Sequence, residues 1–172
     1  MPTIVPLSAV PPQEIEALLD AAFEPSRKQR TSYLIRRGTE PLPALSFAAL
    51  DDDDWLVGAI QMSPAALTEA LGPVHPLLMV GPVAVHPAHQ GEGYGTALMA
   101  AAFGAIDPQA ALPQVLIGDV SYYGRFGFAP APAGWQCPGP WDPERLLVRC
   151  EDRALLPPAG MLGPWLAPRL AN

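Results

Sequence analysis

Three alternating glycines constrain the fold of this chain more than any other feature: Gly91, Gly93 and Gly95. The apolar run Leu77 to Val85 precedes them and is too short for a helix, so it predicts a buried central strand. The alanine-rich run Thr96 to Ile106 follows them and predicts a buried helix. The segment therefore predicts a strand, a glycine-rich turn and a helix in succession.

A glycine-rich turn at the start of a helix is suited to binding phosphate. Glycine lets the backbone approach an anion closely and adopt positive φ, and the free amides and dipole of the helix start favour negative charge. The dinucleotide fingerprint G-x-G-x-x-G fails because Thr96 stands where its third glycine would fall, and the P-loop fails because no lysine lies near. The turn thus predicts a diphosphate site made of backbone.

The turn resembles the coenzyme A signature of GNAT acetyltransferases, which reads Gln or Arg, two residues, Gly, one residue, Gly or Ala. In this chain the signature runs from Gln90 to Gly95 and is complete. A second segment, Tyr123 to Phe128, is similar to the family's Tyr, three residues, Gly-Phe ending. The resemblance covers roughly residues 10 to 130, and it is closest to a subgroup of predicted acetyltransferases with a Gly-Asp, Tyr-Tyr, Arg-Phe-Gly-Phe pattern.

The resemblance implies the GNAT acyl-CoA N-acyltransferase fold: a mixed α/β domain whose twisted, mostly antiparallel sheet carries helices on both faces and has splayed central strands. Pro82 cannot donate to a strand ladder, so it indicates either a bulge or a place where the neighbouring strand diverges. Acetyl-CoA would be the cosubstrate, with the backbone of Val83 and Val85 on pantetheine and the amides of Gly91 to Thr96 on the diphosphate. The implied cofactor contacts are Val83, Ala84, Val85, Gln90, Gly91, Glu92, Gly93, Tyr94, Gly95, Thr96 and Phe126.

The reaction implied is N-acetyl transfer by direct attack of an amine on the thioester in a ternary complex, without a metal. Tyr123 is the predicted acid, because a phenol is protonated at neutral pH and can hydrogen-bond the departing thiolate. The backbone amide of Val85 would stabilise the oxyanion. The alternative function is a catalytically silent acyl-CoA sensor or binding module.

The general base is left open. The histidines of the turn, His86 and His89, are assigned structural roles, and a water chain is an alternative to any single residue. The side chains that remain possible bases are Glu69, His75 and Asp119. Leu116 stands where many relatives place an asparagine that contacts pantetheine, and Asp119 or Ser121 would substitute for it.

A basic segment, Arg27 to Arg37, holds five of the ten lysines and arginines and predicts a second helix capped by Ser26. The resemblance places that helix beside the acceptor site. One interpretation is a solvated helix face. The other is that it attracts an amine acceptor, a small molecule or a peptide, that bears a carboxylate or phosphate.

Composition narrows the functional class further. The net charge of −7 argues against nucleic acid as a partner. Two cysteines, Cys137 and Cys150, are too few for a disulfide framework, and neither a signal segment nor a membrane span is evident, so a cytoplasmic protein, monomeric or homodimeric, is expected. Residues 1–172 are expected to form one domain, with the proline-rich residues 129–172 wrapped around it and Trp135, Trp141 and Trp165 as packing anchors. A structural protein that uses this tail to bind partners is the weakest alternative.

Periodicity predicts five further elements. Helical spacing of apolar residues behind a Pro-Pro pair indicates a first helix, and short apolar runs indicate strands. Two of the strands flank the acidic turn Asp51 to Asp54, which is interpreted as a solvated hairpin tip. The predicted ranges are Pro12 to Phe23 for the helix and Ala44 to Leu50, Trp55 to Met62, Gln114 to Ile117 and Arg145 to Cys150 for the strands.

Overall fold

The structure is a computed structural model that describes residues 2–166. Residue 1 and residues 167–172, the end of the expected C-terminal wrap, lie outside the described residues. The strands are β1 Thr3–Pro6, β2 Phe47–Leu50, β3 Leu56–Thr68, β4 Val74–Val85, β5 Gln114–Ile117, β6 Ala129–Pro130, β7 Gly134–Gln136, β8 Leu146–Arg149 and β9 Ala159–Pro164. The α-helices are α1 Pro12–Ala22, α2 Thr31–Ile35, α3 Tyr94–Gly104 and α4 Val120–Tyr123.

The strands form one mixed sheet in the order β1-β2-β3-β4-β5-β8-β6, with β9 paired to β3 and β7. Most pairs are antiparallel, and the β4–β5 and β7–β9 pairs are parallel. The predicted mixed α/β class with a mostly antiparallel sheet is therefore confirmed. The recorded pairs between β4 and β5 are Leu78 with Gln114 and Met79 with Val115. The Gly81-Pro82 peptide is cis.

The chain divides into two compact units. Unit 1 comprises Met1–Lys28, Pro41–Met62 and Val80–Ala111, and unit 2 comprises Gln29–Glu40, Ser63–Met79 and Leu112–Asn172. The strands β3 and β4 contribute to both units. That the chain forms one domain stays a prediction.

Unit 1 has its own apolar core. Helix α1 starts with Pro12 in its first turn and buries Ile15, Leu18 and Leu19, the spacing of one helical stripe. This stripe packs with residues of the β1–β2 region and of β3 and β4, namely Leu7, Val10, Ala48, Ala59 and Ala84. Helix α3 contacts β1 and β2 and buries Leu98, Met99 and Ala102.

Unit 2 has a second core that depends on the C-terminal part of the chain. The ring of Trp135 is buried, and its Nε1 donates to the carbonyl of Pro157 at 2.7 Å. Residues before position 120 supply part of this core, and residues after it supply the rest. Its members are Ile35, Ala65, Leu67, Leu77, Met79, Val115, Trp135, Cys137, Leu146, Val148 and Leu162.

Three predictions about secondary structure are corrected. The helix expected over Arg27 to Arg37 is divided into a 3-10 helix, Pro25–Gln29, and the short α2, because Arg30 adopts an extended conformation between them. Ser26 caps neither; its hydroxyl bonds Glu24. The region after Ala129 was expected to hold one regular strand, and it also forms β6, β7 and β9, because backbone pairing rather than local apolar pattern defines these short strands.

The remaining predicted elements are confirmed, with small differences at their ends. Helix α1 and strands β2, β5 and β8 match their predicted positions, whereas β3 continues to Thr68 and α3 starts at Tyr94. Trp135 is buried as expected of a packing anchor, but Trp141 is exposed and is not one. Cys137 is buried, and that burial raises the pKa of its thiol to about 11, so it stays protonated and unreactive.

Candidate functional site

The glycine-rich turn between β4 and α3 has the backbone of an anion cradle. Gly91 and Gly93 have φ of 83° and 88°, a conformation that other residues rarely adopt, and a Cβ at either position would meet no atom within 4 Å. Gly93 is the N-cap of α3, which has no side-chain cap hydrogen bond, and the amide of Ala97 donates to the Gly93 carbonyl at 3.0 Å. The first-turn amides of α3 therefore have no acceptor within the helix and none on the side chain of its N-cap residue.

The end of β4 directs alternate backbone groups to opposite edges. The amide of His86 donates to the Val57 carbonyl on β3 at 2.8 Å. Because backbone groups alternate along a strand, those of Ala84 face β3 as well, and those of Val83 and Val85 point to the other edge. The two valines assigned to pantetheine thus present backbone on the edge away from β3. The Ala84 side chain is buried in the core of unit 1.

A small polar network occupies the turn that follows β4. His86 Nδ1 accepts a hydrogen bond from the Ala88 amide at 3.1 Å, which is the structural role expected of it. His89 Nδ1 lies 3.0 Å from Glu92 Oε2. The His89 ring stands edge-on to the rings of His86 and Tyr94, with centroids 6.2 Å and 5.9 Å away. Sequence reasoning treated His89 and Glu92 separately, although their i, i+3 spacing was a signal that they could pair.

Tyr123 ends the short helix α4 in unit 2, where it packs among aromatic rings. Its ring is edge-on to Tyr122 at 4.9 Å and to Phe128 at 6.2 Å. A Cβ on Gly118 would lie 2.5 Å from Tyr123 Cε2, so only glycine allows the ring to lie against this backbone. Phe126, the other predicted contact in this segment, packs on Tyr122 at 5.6 Å.

The environment of Tyr123 keeps its hydroxyl protonated. Burial, followed by Tyr122 and Asp119, raises the pKa of Tyr123 to about 12, and Arg145 lowers it by a smaller amount. The raised pKa means that the phenol remains a proton donor throughout the neutral range. A side chain in this state has the protonation required of an acid.

Each candidate base has a polar partner. Glu69 Oε2 lies 3.0 Å from His75 Nε2 near the turn between β3 and β4. Asp119 Oδ1 accepts from Arg145 Nε at 3.1 Å and is largely exposed. Sequence reasoning did not find these pairings, and they do not select a base among the three.

The basic segment is less uniform than the sequence indicated. Arg27 is 1% exposed, and its Nη2 lies 2.6 Å from Glu16 Oε2 and 3.3 Å from Asp20 Oδ1. Arg27 therefore anchors the 3-10 helix to α1 and does not lie on a solvated face. Arg36 stacks over the Tyr33 ring, with its Cζ 4.0 Å from the centroid.

The acidic turn Asp51 to Asp54 is organised by its own backbone. Asp51 Oδ1 accepts from the amides of Asp53 and Trp55, both at 2.9 Å. Within residues 2–166, no group of three or more His, Cys, Asp or Glu side chains could hold a metal ion. Over the same residues, no helix is long and apolar enough to cross a membrane.

A family model and several solved structures that resemble this chain all belong to the GNAT acetyltransferases. The family model described as acetyltransferase (GNAT) domain matches residues 7–131, more than half of the chain. No curated protein matches the sequence.

Solved structures of this kind share the fold. The GNAT family N-acetyltransferase YhbS from Escherichia coli, in complex with CoA, has a TM-score of 0.70 at 23% identity over 96% of this chain and 89% of its own. A GNAT family acetyltransferase from Brucella melitensis, in complex with acetyl-CoA, has a TM-score of 0.59 at 25% identity over 95% of each chain. An acetyltransferase of the GNAT family from Staphylococcus aureus has a TM-score of 0.54 at 12% identity over 87% of this chain and 98% of its own.

Proposed function

Because the chain belongs to the GNAT acetyltransferase domain family, we propose that it transfers the acetyl group of acetyl-CoA to an amine. The observation that carries the proposal is the cradle between β4 and α3. Its two glycines of positive φ lead into a helix start that has no side-chain cap. The similar Brucella melitensis protein, which binds acetyl-CoA, supports the same ligand here.

The proposed assignment of the ligand follows the backbone. The first-turn amides of α3, together with those of the glycine turn, bind the diphosphate, where the helix dipole favours negative charge. The backbone groups of Val83 and Val85 bind the pantetheine arm in the manner of an added strand. This arrangement needs no cationic side chain, which suits a chain of net charge −7.

The proposed reaction is direct transfer within a ternary complex. The amine nitrogen attacks the thioester carbonyl, and the Val85 amide stabilises the oxyanion that forms. As the intermediate collapses, the C–S bond breaks and the Tyr123 hydroxyl gives its proton to the thiolate. The amine loses one proton to solvent or to a base as the amide forms. A proton from the same solvent or base then returns to the Tyr123 oxygen, so the cycle has no net change in protons on the enzyme. The raised pKa of Tyr123 keeps its phenol protonated at neutral pH, which is the state that a proton donor requires.

We also propose that the acceptor amine carries a carboxylate or a phosphate. The support is the presence of three arginines on either side of α2, namely Arg30, Arg36 and Arg37. Cationic side chains in such a group attract anionic ligands.

Calorimetric titration with acetyl-CoA tests the cofactor. The native protein is expected to bind, and Gly93→Asp is expected to abolish binding because its carboxylate would occupy the space left for the diphosphate. Gly38→Asp is the matched control, since Gly38 has a φ of 77° and lies outside the cradle. No binding by the native protein, or equal binding by both variants, would contradict the proposal.

A further inference from the structure

We propose that His89 is a positioning residue of the cradle, where it compensates the charge of Glu92 and thereby sets the affinity for the CoA diphosphate. The inference rests on the proposed function. It deepens that function by naming a side-chain pair that tunes a site otherwise made of backbone.

The position of Glu92 is unfavourable for an anion site. Its residue lies between the two glycines of positive φ and directly precedes Gly93, the N-cap of α3. Its side chain is 53% exposed and lies beside the same helix start at which a ligand would bind. A diphosphate in the cradle would therefore meet a like charge within one Debye length, about 8 Å at physiological salt.

The surroundings of this helix start add to the negative field. Burial is the largest cause of the raised pKa of Tyr94, and the negative charges of Glu92, Asp51 and Asp52 raise it further. The carboxylates of the acidic turn therefore add to the negative potential at the start of α3. The titratable groups that face His89 are the carboxylate of Glu92, the ring of Tyr94 and the ring of His86. His86 already uses Nδ1 to accept the Ala88 amide. Compensation of Glu92 is therefore assigned to His89.

The contact between the side chains of His89 and Glu92 allows the histidine to compensate the charge of the carboxylate. His89 Nδ1 lies 3.0 Å from Glu92 Oε2, a hydrogen bond that holds the carboxylate toward the 3-10 helix Pro87–His89. When the imidazole is protonated, the pair also loses its net charge. Both effects reduce the repulsion that a diphosphate would meet.

A double-mutant cycle measures this role. His89→Ala is expected to raise the Kd for CoA about three- to fivefold, the range that exposed charge pairs support. Glu92→Gln removes the charge that needs compensation, so the added His89→Ala change should then have no effect on the Kd. His75→Ala is the matched control for binding, because His75 forms the same 3.0 Å contact with Glu69 at the opposite end of β4.

The pH dependence of binding distinguishes charge compensation from packing. If the compensation is electrostatic, lowering the pH from neutrality adds a proton to the imidazole and should raise the affinity. Dephospho-CoA is the probe, because its diphosphate keeps its charge there and the titrating 3′-phosphate is absent. The slope should be lost in His89→Ala, whereas a packing role would leave it in place. Native-like stability of each variant is checked by thermal unfolding.

The outcomes separate this inference from the proposed function. If the native protein binds CoA and His89→Ala binds it equally well, the inference is wrong. It is also wrong if His89→Ala weakens binding as much in the Glu92→Gln background as in the native one, or if the pH slope persists without His89. A native protein that does not bind CoA would overturn the proposed function itself.

Discussion

At the scale of single residues, burial has opposite consequences for the chemistry of Tyr123 and of Cys137. Burial raises the pKa of both side chains. For a nucleophilic cysteine a raised pKa lowers reactivity, because less of the reactive thiolate is present. For an acid it preserves the proton that is to be donated. Burial thus keeps the proton on the phenol that is proposed as the acid, and it suppresses the thiolate of Cys137.

Replacement of the tyrosine hydroxyl tests this assignment. Tyr123→Phe is expected to lower kcat about a hundredfold, the lower end of what general acid catalysis contributes, while the Kd for acetyl-CoA stays unchanged. Tyr122→Phe removes the same hydroxyl from the neighbouring, half-buried ring and should leave kcat within about twofold, because no chemical step is assigned to Tyr122. Equal kcat in the native protein and Tyr123→Phe would show that Tyr123 has no chemical role.

The pH profile gives a second measurement on the same residue. With a pKa of about 12, Tyr123 keeps its proton as the pH rises and loses it near that value. We therefore expect no alkaline loss of kcat from Tyr123 below about pH 10, the pKa of an ordinary phenol. An alkaline limb below that pH which disappears in Tyr123→Phe would contradict the raised pKa of Tyr123, although it would still fit the role of Tyr123 as the acid.

At the scale of elements, the basic segment shows how packing divides a run of like charges. The sequence predicts one helix over Arg27 to Arg37, but Arg27 forms two ion pairs with α1 and the helix is interrupted at Arg30. The 3-10 helix before the break is structural. Arg30, Arg36 and Arg37 lie on either side of α2, in the next part of the segment.

Charge reversal at this group tests the proposed anionic acceptor. Arg30→Glu with Arg36→Glu is expected to raise the KM of an amine bearing a carboxylate or phosphate about three- to tenfold, with no change for acetyl-CoA. The matched amine without the anionic group is the substrate control. Raised salt should reduce the difference between native and variant proteins, because exposed charges are screened. Equal KM values for the anionic acceptor would contradict the role.

At the scale of the whole molecule, residues 129–166 contribute to the core of unit 2 and to its strands. Trp135, Leu146, Val148 and Leu162 make up much of that apolar cluster. Strand β8 pairs with β5 over Gln114 to Ile117, so the earlier strand also depends on the later one for its backbone hydrogen bonds. The family resemblance ended near residue 130, but the folding unit does not.

Truncation after Phe128 tests this dependence. The shortened chain is expected to lose cooperative thermal unfolding, because Val115 and Met79 would lose the apolar residues that cover them. Trp135→Phe is the milder comparison: it keeps a ring in the core and removes the bond to Pro157, which should cost about 1–3 kcal/mol of the free energy of unfolding. A truncated chain that unfolds cooperatively near the native Tm would contradict the prediction.

The sequence by itself determined the elements whose signal is local. Periodic apolar spacing defined α1, the short apolar runs defined β2, β5 and β8, and the glycines fixed the turn before α3 because positive φ is a property of single residues. The family also followed from two short motifs. These features needed no knowledge of distant contacts.

The tertiary structure decided what depends on partners remote in sequence. In the sequence Arg27 is one of five basic residues in a short segment, and only the fold shows that it pairs with Glu16 and Asp20. Strands β6, β7 and β9 are short segments that exist through pairing with β8, β9 and β3. The pKa of Tyr123 depends on burial among Tyr122, Phe128 and the backbone of Gly118, which no pattern along the chain records. Hydrogen bonds and burial between distant residues are set by the folded chain, and these properties could only be determined from it.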